Sequence, residues 1–297
     1  MVMPMTEWVG PPRHGERRVP VLMIVHAHPD DESSQTGGTL ARYAAAGCRT
    51  VLVTCTDGGQ GDAITGGAKP GQDGHFPHEV AALRSAELDS AARALGVHDV
   101  VKLGYPDSGM PADGEPAAAE SFSGRPAMPM VTQMVRLMRL YEPDVVITYP
   151  PNGLSGHPDH IRTHEVVVGA HGNVVGDVVG DGEPAGWIPR LYYIAMSVGR
   201  LRELQARVRA AFGDDSWVPP DDLGVDDAEI TTVIDVAPFW DDKLLALSAH
   251  ASQPDAALLL QLLRMIDDPT KPIARVEEYV RAYPPRRPAD PIERDFF

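Results

Sequence analysis

The chain has 297 residues, 43% of them hydrophobic and 23% charged, which is the make-up of an ordinary soluble globular protein with room for one large domain or two modest ones. Its net charge of −16, from 42 acidic against 26 basic residues, opposes binding to nucleic acid and to anionic membranes, both of which call for basic patches. Two cysteines, Cys48 and Cys55, are too few for a disulfide framework, the N-terminus carries no apolar signal segment, and no run approaches the ~20 apolar residues of a membrane span, so a cytoplasmic protein is expected.

Residues 1–18 are rich in Pro, Gly and charge and read as an N-terminal extension. The continuous apolar run 19–26 predicts a buried strand, 36–46 a helix stopped by Gly47, and the β-branched stretch 49–56 a second strand. A Gly-rich loop follows at 58–74, then a helix over 78–95 and a strand over 99–103. After a loop at 104–128, a helix at 129–141 leads to a strand at 144–149, and a helix resumes at 158–170. This alternation predicts an α/β, Rossmann-like fold with a mostly parallel sheet and helices on both faces, its core spanning 19–175. The second half, 176–297, is less regular. Strands at 190–196 and 228–236, helices at 198–212, 238–250 and 255–266, and an extended tail from 283 predict a smaller α+β part that completes the sheet and pocket within one compact unit.

Two motifs stand at the ends of the first and fourth strands, HAHPDDE (26–32) and HPDH (157–160). In open α/β sheets ligands bind outside the carboxyl ends of the strands, and parallel strands bring distant ends together. His28 and Asp31, three apart around Pro29, fit two metal ligands, and His160 offers a third. Two imidazoles and one carboxylate leave an open position for water, the pattern of a catalytic zinc site. Asp30 is then the candidate general base. His157 is placed to protonate a leaving group or to stabilise an oxyanion, with Asp159 or another carboxylate to orient it. Either motif alone reads as a simple turn; the pair, at the ends of strands in one sheet, points to a metal site. His26 and His164 read as supporting residues, His75, His78, His98 and His171 as carrying no role, and the cysteines as core.

At these residues the chain resembles the GlcNAc-phosphatidylinositol de-N-acetylase family, the LmbE-like proteins. HAHPDDES, VLVTCTDGG, LRSAELDSAARALGV, YPDSGM, PDVVITY and GHPDH follow in the family's order, and KLLALSAHASQ (243–253) is similar to the branch of mycothiol deacetylases and mycothiol S-conjugate amidases. The resemblance implies zinc-dependent hydrolysis of an N-acyl group on an amino-sugar-containing small molecule. It implies His28, Asp31 and His160 as ligands of Zn2+ (or Fe2+ in the cell), Asp30 as base, and His157, paired with Asp159, as acid or oxyanion partner. Arg84 and Asp107 match substrate-binding positions. One departure concerns the pocket: the tyrosine that mycothiol enzymes carry two residues before HPDH is replaced by Ser155. Of the 26 basic residues 22 are Arg, a hint of a GC-rich genome, in which such deacetylases also tailor secondary metabolites. The same two-His, one-carboxylate set also describes non-haem Fe(II) oxygenases, although these sit on antiparallel barrels. A non-catalytic sugar- or metal-binding protein would have no use for a base beside the metal. No G-x-S-x-G elbow supports a serine hydrolase. Oligomerisation is open; a homo-oligomer is one expectation.

Overall fold

The computed structural model describes residues 18–63, 67–112, 115–180, 187–266, 275–287 and 290–297. The expected extension lies outside them except for Arg18. Seven strands, β1 (Val21–His26), β2 (Arg49–Thr56), β3 (Asp99–Tyr105), β4 (Val145–Thr148), β5 (Arg190–Ala195), β6 (Thr232–Asp235) and β7 (Val276–Tyr283), form one sheet in the order β3-β2-β1-β4-β5-β7-β6. The first five are parallel, while β7 runs antiparallel to both β5 and β6. Because β1 pairs with β2 on one side and with β4 on the other, the connections leaving β1 and β4 diverge. They open a crevice at the carboxyl ends of these two strands, as expected where strand order reverses.

The helices are α1 (Asp31–Gln35), α2 (Gly37–Ala45), α3 (Pro77–Ala94), α4 (Ala127–Tyr141), α5 (Pro158–Gly180), α6 (Val198–Phe212), α7 (Trp240–Ala249) and α8 (Pro254–Ile266). The alternation of side chains along each strand divides the core in two. Leu22 and Ile24 of β1 and Val145 and Ile147 of β4 pack with Leu40 and Tyr43 of α2. The intervening Val21, Met23, Val25 and Val146 pack with Met134 and Met138 of α4 and with Val166 and Val167 of α5. These strands read as unbroken apolar runs because both of their faces are covered. A separate cluster, with Val208, Trp240, Leu247 and Leu262, joins α6, α7 and α8. No described helix is long and apolar enough to cross a membrane.

The structure departs from the sequence reading mainly in the second half. The strand expected over 228–236 shrinks to β6, preceded by a 3₁₀ turn at Asp227–Glu229. The helix expected to end at 170 runs on to Gly180. Two elements went unread: α1, which begins inside the first motif, and β7, whose charged VEEYVRAY hides its pattern. Glu277 explains part of that charge. It is buried, accepts hydrogen bonds from the amides of Gly38 and Thr39 at 3.1 and 2.8 Å, and pairs with Lys243 at 2.5 Å. Burial alone would raise its pKa, but Lys243 and the donors at the start of α2 hold it below the usual range.

Gly38 packs α2 directly against Val236. A Cβ there would stand 2.4 Å from the Val236 Cβ, a branched atom close to backbone that cannot swing aside. Gly38→Ala should therefore destabilise the protein by about 1–3 kcal/mol, despite alanine's better helix propensity. Thermal unfolding would show this as a midpoint lower by several degrees.

Candidate metal centre and catalytic cleft

β1 ends at His26 and the chain turns through Pro29 into α1, so His28 and Asp31 fold back over the crevice. α5 starts at Pro158, after the loop that leaves β4, and brings His160 to the same point. His28 Nδ1 lies 3.4 Å from Asp31 Oδ2 and 3.2 Å from His160 Nε2, and His160 Nε2 lies 3.4 Å from Asp31 Oδ2. A tetrahedral centre with bonds of about 2.0–2.1 Å would space its ligands by about 3.3–3.4 Å, so this triangle fits three ligands of one small divalent cation.

The far edges of both rings support that fit. His28 Nε2 faces Asp159 Oδ2 at 3.3 Å and Asp107 Oδ1 at 3.5 Å, and His160 Nδ1 faces the Gly153 carbonyl at 3.0 Å. With acceptors at both outer nitrogens, His28 Nδ1 and His160 Nε2 are the atoms left to face the Asp31 oxygen and, with a metal bound, to turn their lone pairs inward. Tyr149 completes the frame. Its hydroxyl accepts from the Ala27 amide at 3.0 Å and donates to Asp31 Oδ2 at 2.7 Å, and its ring stacks on His160 with centroids 4.2 Å apart. Burial disfavours charge on both His28 and Asp31, yet Asp107, with Asp159 and Asp31, raises the His28 pKa well above normal, and His160, with His28, holds the Asp31 carboxyl well below it.

Asp30 does not join the triangle. It borders a cleft of about 700 Å³ together with His28, Arg84, Asp107, His157 and Gln253. Arg84 is buried and donates to the Pro29 carbonyl at 2.6 Å, to the Gly58 carbonyl at 2.8 Å and to Asp30 Oδ2 at 3.0 Å. Burial pushes the Asp30 carboxyl up to about 6, against the pull of Arg84. His157 is half-buried, its ring centroid 4.5 Å from that of His28. Its Nδ1 accepts the Asp159 amide at 3.1 Å, so the neutral ring carries its proton on Nε2. Burial, with His28 and His160 nearby, lowers the His157 pKa to about 4.

The expected partnership of His157 with the Asp159 carboxylate is not what the structure shows. That carboxylate accepts from the Ser108 amide at 2.9 Å and hydroxyl at 2.5 Å and faces His28. The reason lies in α5: Asp159 sits at its start, where the backbone amide already fills His157 Nδ1. Asp107 binds the amides of Gly109 and Gln60 at 2.9 and 3.2 Å and stays on the cleft wall. Ser155 is exposed, away from the cleft, with its hydroxyl 3.4 Å from His160 Nδ1, the ring edge opposite the triangle. His26 bonds Tyr149 and Thr36 at 3.2 and 2.8 Å, and His164 bonds the Tyr149 carbonyl at 2.9 Å, both in supporting places.

Several contributors escaped the sequence reading. Tyr149 and Ser108 stand at strand ends beside recognised motifs, a position that could have marked them. Glu32, fully buried, bonds His250 at 2.7 Å across 218 residues of sequence, and no spacing rule links two such residues.

Residues 23–171 match the family described as PIG-L, GlcNAc-PI de-N-acetylase. A 1D-myo-inositol 2-acetamido-2-deoxy-alpha-D-glucopyranoside deacetylase of Rhodococcus jostii is 37% identical over 296 residues, spanning 95% of this chain and 98% of its own. Among solved structures, the N,N'-diacetylchitobiose deacetylase of Pyrococcus horikoshii superposes with a TM-score of 0.57 at 19% identity, covering 88% of this chain and 83% of that one. The 4-carboxy-2-hydroxymuconate hydratase of Pseudomonas putida also reaches 0.57, at 17% identity, covering 91% and 98%. The structural likenesses establish the fold, which hosts a hydratase as well as deacetylases, so chemistry has to be argued from the site. From the family match and the near full-length relative together, the chain belongs to the GlcNAc-PI de-N-acetylase family.

Proposed function

We propose that this protein is a zinc-dependent N-deacetylase that removes the acetyl group from the 2-acetamido sugar of N-acetylglucosaminyl-inositol. The observation that carries the reading is the triangle of His28 Nδ1, Asp31 Oδ2 and His160 Nε2, 3.2–3.4 Å on each side, at the border of a cleft that also holds Asp30. Support for the substrate comes from relatives at 36–39% identity that bear the name of that sugar-inositol deacetylase.

His28, Asp31 and His160 would hold the zinc. When bound, it would supply Lewis acidity, which lowers the pKa of water toward neutrality and polarises a carbonyl. Asp30 takes the proton of the attacking water. Arg84 engages Oδ2, and among the described residues Oδ1 accepts no hydrogen bond, so one oxygen remains for proton transfer. His157 offers its Nε2–H to the oxyanion; its protonation pattern suits a neutral donor rather than an acid. Asp30 then returns the proton to the amine nitrogen as the C–N bond breaks, giving acetate and the free amino sugar. The missing tyrosine at Ser155 is not replaced by Tyr149, whose hydroxyl is committed to Ala27 and Asp31. This leaves His157 as the side-chain donor for the oxyanion. Asp107 and Gln253, on the cleft wall, are the groups placed to meet sugar hydroxyls.

Purified protein incubated with N-acetylglucosaminyl-inositol should release acetate and a primary amine in equal amounts, without dioxygen. Stripping divalent metal with a chelator should abolish this, and zinc should restore it; dependence on dioxygen and a co-substrate would point to iron oxygenase chemistry instead. Asp30→Asn should keep its zinc but lose about 10²–10⁴-fold in kcat, the usual worth of a general base, and metal analysis showing zinc lost along with activity would make Asp30 a ligand. His157→Phe should also keep its zinc and lose about 10²–10³-fold in kcat, the cost of one oxyanion donor. A small effect there would require the donor to be sought elsewhere.

A further inference from the structure

Asp30 has φ 113° and ψ −27°, a region of backbone space that a residue with a Cβ occupies only when its surroundings hold it there. The hold comes from both sides. Arg84 ties the preceding Pro29 carbonyl and the Asp30 carboxylate together. The Asp30 amide donates to Glu32 Oε2 at 2.9 Å. Glu32 is fully buried, and its other oxygen, Oε1, accepts from Ser33 Oγ at 2.5 Å and from His250 Nε2 at 2.7 Å.

His250 follows the last residue of α7 and is fully buried. Its Nδ1 has no partner among the described residues, so the ring spends its side-chain hydrogen bonding on Glu32 alone. Burying a histidine with one nitrogen unpaired is costly. The placement makes sense if the Glu32 contact matters. The His250 carbonyl also accepts the Gln253 amide at 3.2 Å, and Gln253 and Asp255 line the cleft. One short segment after α7 thus builds a wall of the pocket and reaches under the residue that borders it.

We propose that His250 is a positioning residue for the reaction: it holds Glu32, Glu32 holds the Asp30 amide, and the Asp30 carboxylate is thereby kept at the cleft and out of the metal triangle. The inference rests on the reading of Asp30 as the base.

His250→Ala should lower kcat for N-acetylglucosaminyl-inositol about 10–100-fold, the usual cost of losing a supporting contact, with KM and zinc content close to those of the unsubstituted enzyme. His250→Gln places an amide nitrogen near the position of Nε2 and should recover most of that kcat. A crystal structure of His250→Ala should show Asp30 relaxed out of its left-handed conformation. Unchanged kcat in His250→Ala, a glutamine variant no better than alanine, or Asp30 unmoved in the crystal each overturns the proposal. If His250→Ala does not fold, His250→Gln and Glu32→Gln decide: the first should retain kcat, and the second, with one acceptor oxygen left for the three donors (the Asp30 amide, Ser33 Oγ and His250 Nε2), should lose it. Failure of the unsubstituted enzyme to release amine would sink the deacetylase reading, and the Asp30 conformation in the variant crystal would still decide the role of His250.

Discussion

Three candidate ligand atoms from two strand ends stand within 3.4 Å of one another in a buried place, where such crowding calls for a cation or shared protons between them. The rest of the site follows from making that crowding tolerable. The sheet must put β1 beside β4, since only then do the turn at Pro29 and the start of α5 meet. The outer edges of the rings must find acceptors, which Asp159, Asp107 and the Gly153 carbonyl provide. A hydroxyl must steady the carboxylate, and Tyr149 supplies it from the end of β4.

The three consecutive acids Asp30, Asp31 and Glu32 show how one segment can carry so much negative charge in a buried place. Each carboxylate is drawn in a different direction and meets its own partners. Asp30 turns to Arg84 of α3, Asp31 to the two histidines of the triangle, and Glu32 to His250 beyond α7. The backbone divides them by placing Asp30 at positive φ just ahead of α1. Neighbouring acids thus face separate partners, which suits the tasks proposed for them: proton transfer, metal binding and support. The pKa directions agree, with Asp31 and Glu32 held low by their partners and Asp30 pushed up by burial.

Much of this was legible beforehand. The strand-end histidines and aspartates lie in two compact motifs, and apolar runs of four to eight residues announced the strands that carry them. The second half was harder to read. β7 mixes charged and apolar residues without a clean alternation, and its Glu277 serves the start of α2 and Lys243, a contact between segments far apart in the chain. The His157–Asp159 carboxylate contact is absent for a local reason: a spacing of two residues says that two groups are near, while the helix geometry at Pro158 decides whether a carboxylate or a backbone amide faces the ring.

By itself the sequence determined the alternating strands and helices, the residue types able to hold a metal, and the adjacent acid that is the candidate base. Those are properties of short segments, set by hydrophobic period and side-chain chemistry. Only the tertiary structure decided which nitrogen of each histidine faces inward, which carboxylate Arg84 and His250 each serve, and that Ser155 lies outside the cleft. These depend on which distant segments the sheet brings into contact, and on hydrogen-bond geometry finer than any spacing along the chain.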